Sequence, residues 1–193
     1  RDRGYNQEWS TELEVPQAQN EYIKAWCALK VLSKVYGLGS PDGFVFNMSV
    51  GYDLEGIKGE KVNSYIDNMM DASNTAQFKE CLAVLTELFP QEKDFIAGIS
   101  PRVSRSVTVS TLHGCPPQEI ERIASYLLTE KGLHTFVKCN PTILGYKTAR
   151  TILDSMGYDY IVFDEHHFNE DLQWEDAVPC LLYTSPSPRD KRQ

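Results

Sequence analysis

Residues 107–123, VTVSTLHGCPPQEIERI, run from a β-branched segment through His113, Gly114 and Cys115 into two prolines and a helical pattern. A strand that ends in a small loop and restarts as a helix is how α/β proteins build the working end of a site. Cys115 stands just before a helix N-terminus, which would lower its thiol pKa and suit it to act as base or nucleophile. The same residue reads equally well as a small buried hydrophobe. His113 reads as structural, because i, i+2 neighbours leaving a strand need not face each other as a thiolate–imidazole couple would require.

Three further clusters carry chemistry. Lys138 follows Phe136 and Val137 in HTFVKCN, where a cation is costly unless an anionic or strongly accepting group meets it. Asn140, two residues on, shares its face of the expected strand, so the two form a candidate ligand-binding pair; the alternative is a lysine that snorkels out at the strand end. Asn47 and Ser49 share one face of FVFNMSVGY and could donate to a ligand, or be two satisfied polar groups. DEHH, Asp164 to His167, has atoms suited to a metal. Without HExxH, and with adjacent histidines that diverge, it reads as a solvated or substrate-facing loop, and no metal site is assigned.

Elements must position these residues. NEYIKAWCALKVLSKVYG predicts a helix with Ala25, Leu29, Leu32 and Tyr36 on its core face and Gly37 as stop signal. After the SPDG turn, Phe44 to Val50 predicts a continuous apolar strand. Val62, Tyr65, Ile66 and Met69 mark one helix, and Phe78, Leu82, Leu85 and Phe89 a second. The polar connection to Ser106 reads as a surface excursion. VTVSTL is then a strand, and PPQEIERIASYLL a helix with Ile120, Ile123, Ala124, Leu127 and Leu128 inward and proline in its first turn. HTFVKCN is a strand, KTARTILDSMG a helix ending at Gly157, YDYIVFD a strand, and NEDLQWEDAV the start of a helix.

Apolar strands alternating with single helices predict a parallel sheet covered by helices. No GxGxxG or GxxxxGK[ST] follows a strand, which favours a (β/α)8 TIM barrel over a doubly wound nucleotide-binding sheet. A barrel needs eight strands over roughly 250 residues. The four expected strands therefore make residues 1–179 a partial barrel, about half, with strand edges and apolar faces that the missing half would cover. Residues 180–193 form a separate tail: Cys180 to Asp190 reads as a sequencing adapter translated in one frame and is set aside. RDRGYNQEWS, with no initiator Met, reads as an opening in mid-loop.

The 193 residues are 41% apolar and 24% charged, as expected of a soluble globular domain. No apolar run approaches the roughly 20 residues needed to cross a bilayer. A net charge of −8 without a basic stripe argues against nucleic acid as partner. Cys27, Cys81, Cys115 and Cys139 show no CxxC and read as reduced thiols of a cytoplasmic protein.

FNMSVGYDLEGIK, VTVSTLHGCPPQEIERI, EKGLHTFVKCNPT and FDEHHFNEDLQWEDAVP together resemble the family of selenate reductase subunits of the YgfK type, large iron–sulfur flavoproteins related to dihydropyrimidine dehydrogenase. The resemblance spans Trp9 to Pro179. It implies the flavin-binding barrel of the dihydroorotate dehydrogenase kind, in which a strand ending in VK supplies a lysine to FMN and an SCP-like loop supplies a cysteine base. By that resemblance Lys138 contacts FMN, with Asn47 and Asn140 as further cofactor-binding residues, and Cys115 is the candidate catalytic base. The implied reaction is hydride transfer between a small-molecule substrate and FMN, linked to iron–sulfur clusters, FAD or NAD(P) and partner redox subunits beyond these residues.

Departures accompany the resemblance. TLHGCPP stands where NLSCP is usual, and DEHH where a TNT-like strand end is usual, which implies a different substrate or none. The family's later phosphate-binding segments are absent, so the resemblance implies that this piece does not hold FMN tightly alone. An alternative reading is a catalytically silent barrel that serves as a structural or docking module of a reductase complex. A third is a metal-dependent hydrolase using Asp164, His166 and His167.

Overall fold

A computed structural model describes residues 4–7, 14–110, 115–170, 172–175 and 177–178. His113 and the tail 180–193 lie outside the described residues. The chain divides into two units, one of Arg1–Val50 with Glu55–Thr108, the other of Gly51–Leu54 with Val109–Gln193.

In the first unit Gly4–Gln7 forms strand β1, where the sequence suggested an irregular opening. It pairs in parallel with β2, Val45–Val50, in the register Gly4 to Val45 through Gln7 to Met48. Helix α1, Val15–Tyr36, starts with the Glu14 N–H donating to Gln17 Oε1 at 2.9 Å and with proline in its first turn. It stops at Gly37, whose φ of 62° is a left-handed conformation that side chains resist.

The buried face of α1 is Tyr22, Ile23, Trp26, Cys27, Lys30 and Val31, a different face from the one expected. Leu29 and Tyr36 are exposed. Both stripes have helical spacing; the aromatic one wins because Tyr22 and Trp26 remove more apolar area from water when they meet Phe46 edge-on at 6.1 and 5.4 Å.

Helix α2 is Leu54–Lys58, and α3, Glu60–Met70, buries Val62, Tyr65, Ile66 and Met69 as its spacing predicts. Helix α4, Ala76–Leu88, is capped by Thr75, whose hydroxyl accepts from the Phe78 N–H at 3.2 Å. Phe78 and Leu85 are buried, while Leu82 and Phe89 are half-buried. The connection that follows is no surface excursion. A 3-10 turn, Pro90–Glu92, and α5, Lys93–Ala97, seal Ile96 inside. The Ala72 N–H donates to Pro101 O at 2.9 Å and the Val103 N–H to Met69 O at 3.0 Å, so Ile99 and Val103 are carried into the core.

Strand β3, Ser104–Val109, begins ahead of the β-branched segment because buried Ser104 finds a partner: its hydroxyl donates to Phe46 O at 2.7 Å. The strands of this unit stand in the order β1-β2-β3.

Burial pushes the Cys27 thiol from 9.0 up to about 12, and neighbouring Cys81 adds to the shift. A raised folded-state pKa contributes stability that is complete below pH 9 and is lost as pH rises toward 12. Denaturant unfolding at pH 8 and pH 11 is expected to show a steeper alkaline loss in the native chain than in Cys27→Ala. Equal losses would assign the alkaline sensitivity to other groups.

In the second unit the Lys138 N–H donates to Val109 O at 2.9 Å, setting the end of β3 beside β4, His134–Val137. Helix α6, Pro117–Ser125, buries Ile120, Ile123 and Ala124 and runs into a π-helical turn, Tyr126–Glu130, where the Lys131 N–H reaches back five residues to Tyr126 O. Leu127 is buried there and Leu128 half-buried. A 3-10 turn, Pro141–Leu144, leads to α7, Tyr146–Ser155.

Three expectations are corrected here. Strand β4 is not covered on both faces, and Phe136 is exposed. YDYIVFD forms no strand: the carbonyls of Tyr158 and Ile161, which a ladder would need, accept instead from the Arg150 guanidinium, and Val162 is 94% exposed. DEHH is no loop but the start of α8, Glu165–Glu170, because Asp164 Oδ1 accepts from the His166 N–H at 2.9 Å and supplies a cap.

Candidate functional site

Cys115 precedes the Pro116–Pro117 start of α6 and is half-buried, with its Sγ 4.0 Å from Pro116 O. Its thiol pKa is raised, opposite to the expectation from the helix terminus: burial comes first, then the carboxylates of Glu119 and Asp53. Burial strips water from the thiolate, and Glu119, in the first turn of α6, adds a negative charge that opposes what the helix dipole offers an anion. A thiol so placed keeps its proton at neutral pH.

Glu119 also builds the site. Its Oε1 accepts from the Leu54 N–H at 2.9 Å and its Oε2 from Arg122 Nη1 at 2.8 Å, which fastens the segment after β2 to the helix that follows Cys115. Gly51 completes the junction, since a Cβ there would lie 3.0 Å from Ser110 O. No side chain fits without moving backbone.

Lys138 is the first residue past β4, and it is exposed. The desolvation cost argued for a cation inside a strand therefore does not apply. Its backbone is anchored on Val109 O, and its Nζ lies 3.4 Å from Ser110 Oγ at the end of β3. Asn140 is half-buried at the head of the Pro141–Leu144 turn, where its carbonyl accepts from the Ile143 N–H at 3.0 Å. The alternation meant to place it with Lys138 stops where the strand ends, at Val137.

Asn47 belongs to the first unit. Its Nδ2 donates to Thr108 Oγ1 at 2.7 Å, while its Oδ1 is buried without a hydrogen-bond partner. Ser49 is buried with its hydroxyl 3.5 Å from Thr108 O. His166 and His167 lie exposed on α8 with ring centroids 5.9 Å apart. His167, Asp164 and Glu165 line an open hollow of about 730 Å³ with Tyr146, Val162 and Phe163. Among the described residues no group of three or more His, Cys, Asp or Glu is arranged to hold a metal ion.

Sequence reasoning missed Ser110, Asp53 and Glu119. A signal for each existed: Ser110 ends an apolar run, Asp53 follows one, and Glu119 stands at the third position of a proline-led helix.

The family described as "Oxidoreductase YgfK, N-terminal TIM-barrel domain" matches residues 1–187. This chain belongs to that family. "Putative oxidoreductase YgfK" of Escherichia coli strain K12 is 43% identical over 196 aligned positions, covering 93% of the chain, and the O157:H7 relative of the same description matches equally. The chain spans about a fifth, 19%, of the length of these curated relatives. No solved structure matches it. In TIM barrels the working residues gather at the C-terminal ends of the strands, and in the YgfK barrel domain Gly51, Ser110 and Lys138 stand directly after β2, β3 and β4. Among the described residues no helix is long and apolar enough to cross a membrane.

Proposed function

We propose that this domain is the flavin-binding barrel of an oxidoreductase, in which a small substrate exchanges hydride with FMN. The observation that carries the reading is Lys138, rooted by its backbone on the end of β3 and extending its ammonium beside Ser110, five residues before Cys115. FMN, when bound, supplies the hydride chemistry. Lys138 would stabilise negative charge at the pyrimidine edge of the ring system. Asn140 would add a polar contact from the head of the Pro141–Leu144 turn. Cys115, protonated at neutral pH, would donate its Sγ proton to the substrate carbon and recover it in the reverse direction.

The proposal extends to the role the family resemblance suggests: a selenate reductase subunit of the iron–sulfur flavoprotein class related to dihydropyrimidine dehydrogenase. It exchanges electrons with iron–sulfur and NAD(P)H-linked centres, works beside partner redox subunits, and resides in the cytoplasm. Titration of the full-length parent protein with FMN, followed by quenching of flavin fluorescence, tests the site. Lys138→Ala is expected to weaken binding about tenfold, the loss of one charge-assisted hydrogen bond. Equal affinity in the variant would remove Lys138 from the flavin site.

A second reading, a silent docking barrel, is favoured by the altered substrate positions, TLHGCPP and DEHH. Full-length parent protein that takes up no FMN under the same titration would favour it.

A further inference from the structure

We infer that Cys27 and Cys81 are a reversible thiol–disulfide pair, a modification site at which a hydroperoxide bridges α1 to α4 inside the first unit. The inference goes beyond the flavin reading and does not depend on it.

Two packed helices bring these sulfurs together. Ile23, Cys27 and Val31 recur at i, i+4 and i+8 on the buried face of α1, and Cys81 stands between buried Phe78 and Leu85, at i, i+3 and i+7, on α4. The two helices pack directly on each other. Within that contact the Cys27 S–H donates to the Cys81 sulfur, and both thiols are unbridged. Gln77 Nε2, one turn away on α4, also meets Cys81 Sγ at 3.4 Å. Exposure separates the roles. Cys81 is half-buried and open to a small oxidant, whereas Cys27 has no exposed surface.

The chemistry balances in two steps. The Cys81 thiolate attacks the peroxide: an S–O bond forms, the O–O bond breaks, and the leaving hydroxide takes up the proton that Cys81 gave up, which makes Cys81 a sulfenic acid. The Cys27 sulfur then attacks Cys81: the S–S bond forms, the S–O bond breaks, and the leaving hydroxyl takes the Cys27 proton as a second water. Two thiols have lost two electrons, and one hydrogen peroxide has become two waters. A neighbouring thiol intercepts the sulfenic acid before it reaches the irreversible sulfinic form. In a reducing compartment such a pair rests as the dithiol and bridges only under oxidant.

The experiment treats the full-length parent protein with hydrogen peroxide, blocks the remaining thiols with N-ethylmaleimide in denaturant, and digests with trypsin in the absence of reductant. Cleavage after Lys24, Lys30, Lys79 and Lys93 puts Cys27 in AWCALK and Cys81 in ECLAVLTELFPQEK, so their bridge is a single peptide pair in the mass spectrum. The pair is expected to appear with peroxide and to vanish with dithiothreitol. It should form at least about tenfold faster in native than in urea-unfolded protein, because only the fold holds the sulfurs together. In Cys27→Ala, Cys81 is expected to go on to sulfinic acid. In Cys81→Ser, Cys27 is expected to remain a maleimide-labelled thiol at peroxide doses that bridge the native protein. Should either variant not fold, the native protein decides by itself. Cys81 found as sulfinic acid with Cys27 still labelled, no oxidation of either sulfur, or a bridge that forms as fast in urea as in native protein overturns the inference.

Discussion

On the proposed flavin reading, Cys115→Ala in the full-length parent is expected to lower substrate-dependent reoxidation of the flavin by at least about a hundredfold, the usual contribution of a positioned proton donor, while leaving FMN affinity within about twofold. The two readouts separate because the proposal gives Cys115 to the substrate and Lys138 to the flavin. The raised thiol pKa adds a sign: the protonated form is the active one when the substrate is reduced, so the rate should fall as pH rises through that pKa and should not require a thiolate. Cys115→Ser, which keeps a proton but binds it far more tightly, should retain a small residual rate. Undiminished turnover in Cys115→Ala would take the thiol out of the mechanism. Loss of flavin from the variant would instead make Cys115 part of the cofactor's packing.

Trp26→Ala is expected to reduce the unfolding free energy by about 3–5 kcal/mol, the range for deleting a buried aromatic ring. Trp26 meets Phe44 and Phe46 edge-on at 5.5 and 5.4 Å, and its Nε1 donates to Ser100 O at 2.8 Å, tying α1 to the connection before β3. Its ring also carries the Lys30 ammonium at 4.1 Å. Lys30 is buried, and its Nζ donates to Pro41 O at 2.6 Å and to Asp42 Oδ1 at 2.9 Å. Removing the indole therefore opens a cavity, strands an accepting carbonyl and leaves a buried cation without one of its faces. Trp26→Phe, which keeps a six-membered ring but loses the N–H and part of the indole's volume, should cost less, about 2 kcal/mol. Urea midpoints separate the three chains. A shift below about 1 kcal/mol for Trp26→Ala would show that the ring is not the hub these distances describe.

Much of the architecture was legible from residue spacing, because amphipathic helices write their buried faces at period 3.6. Val62, Tyr65, Ile66 and Met69 went inward as spaced, and so did Ile120, Ile123, Ala124 and Leu127. The same rule failed on α1, which carries two apolar stripes; periodicity finds both and cannot rank them. YDYIVFD had strand composition, but a strand exists only where a neighbour accepts its ladder, and Arg150 took those carbonyls.

At the site, residue types alone determined that a thiol, an ammonium and amide side chains would stand near strand ends, because turn residues and apolar runs mark those ends locally. Only the tertiary structure decided their state. Lys138 is exposed and the Cys115 thiol pKa is raised, because solvation and charge depend on packing as well as on sequence neighbours: Ser110 lies beside Lys138 Nζ, and burial first, then Glu119 and the sequence-distant Asp53, act on Cys115. Electrostatics act through space, and a chain read in order does not display which of its carboxylates will be near its thiol.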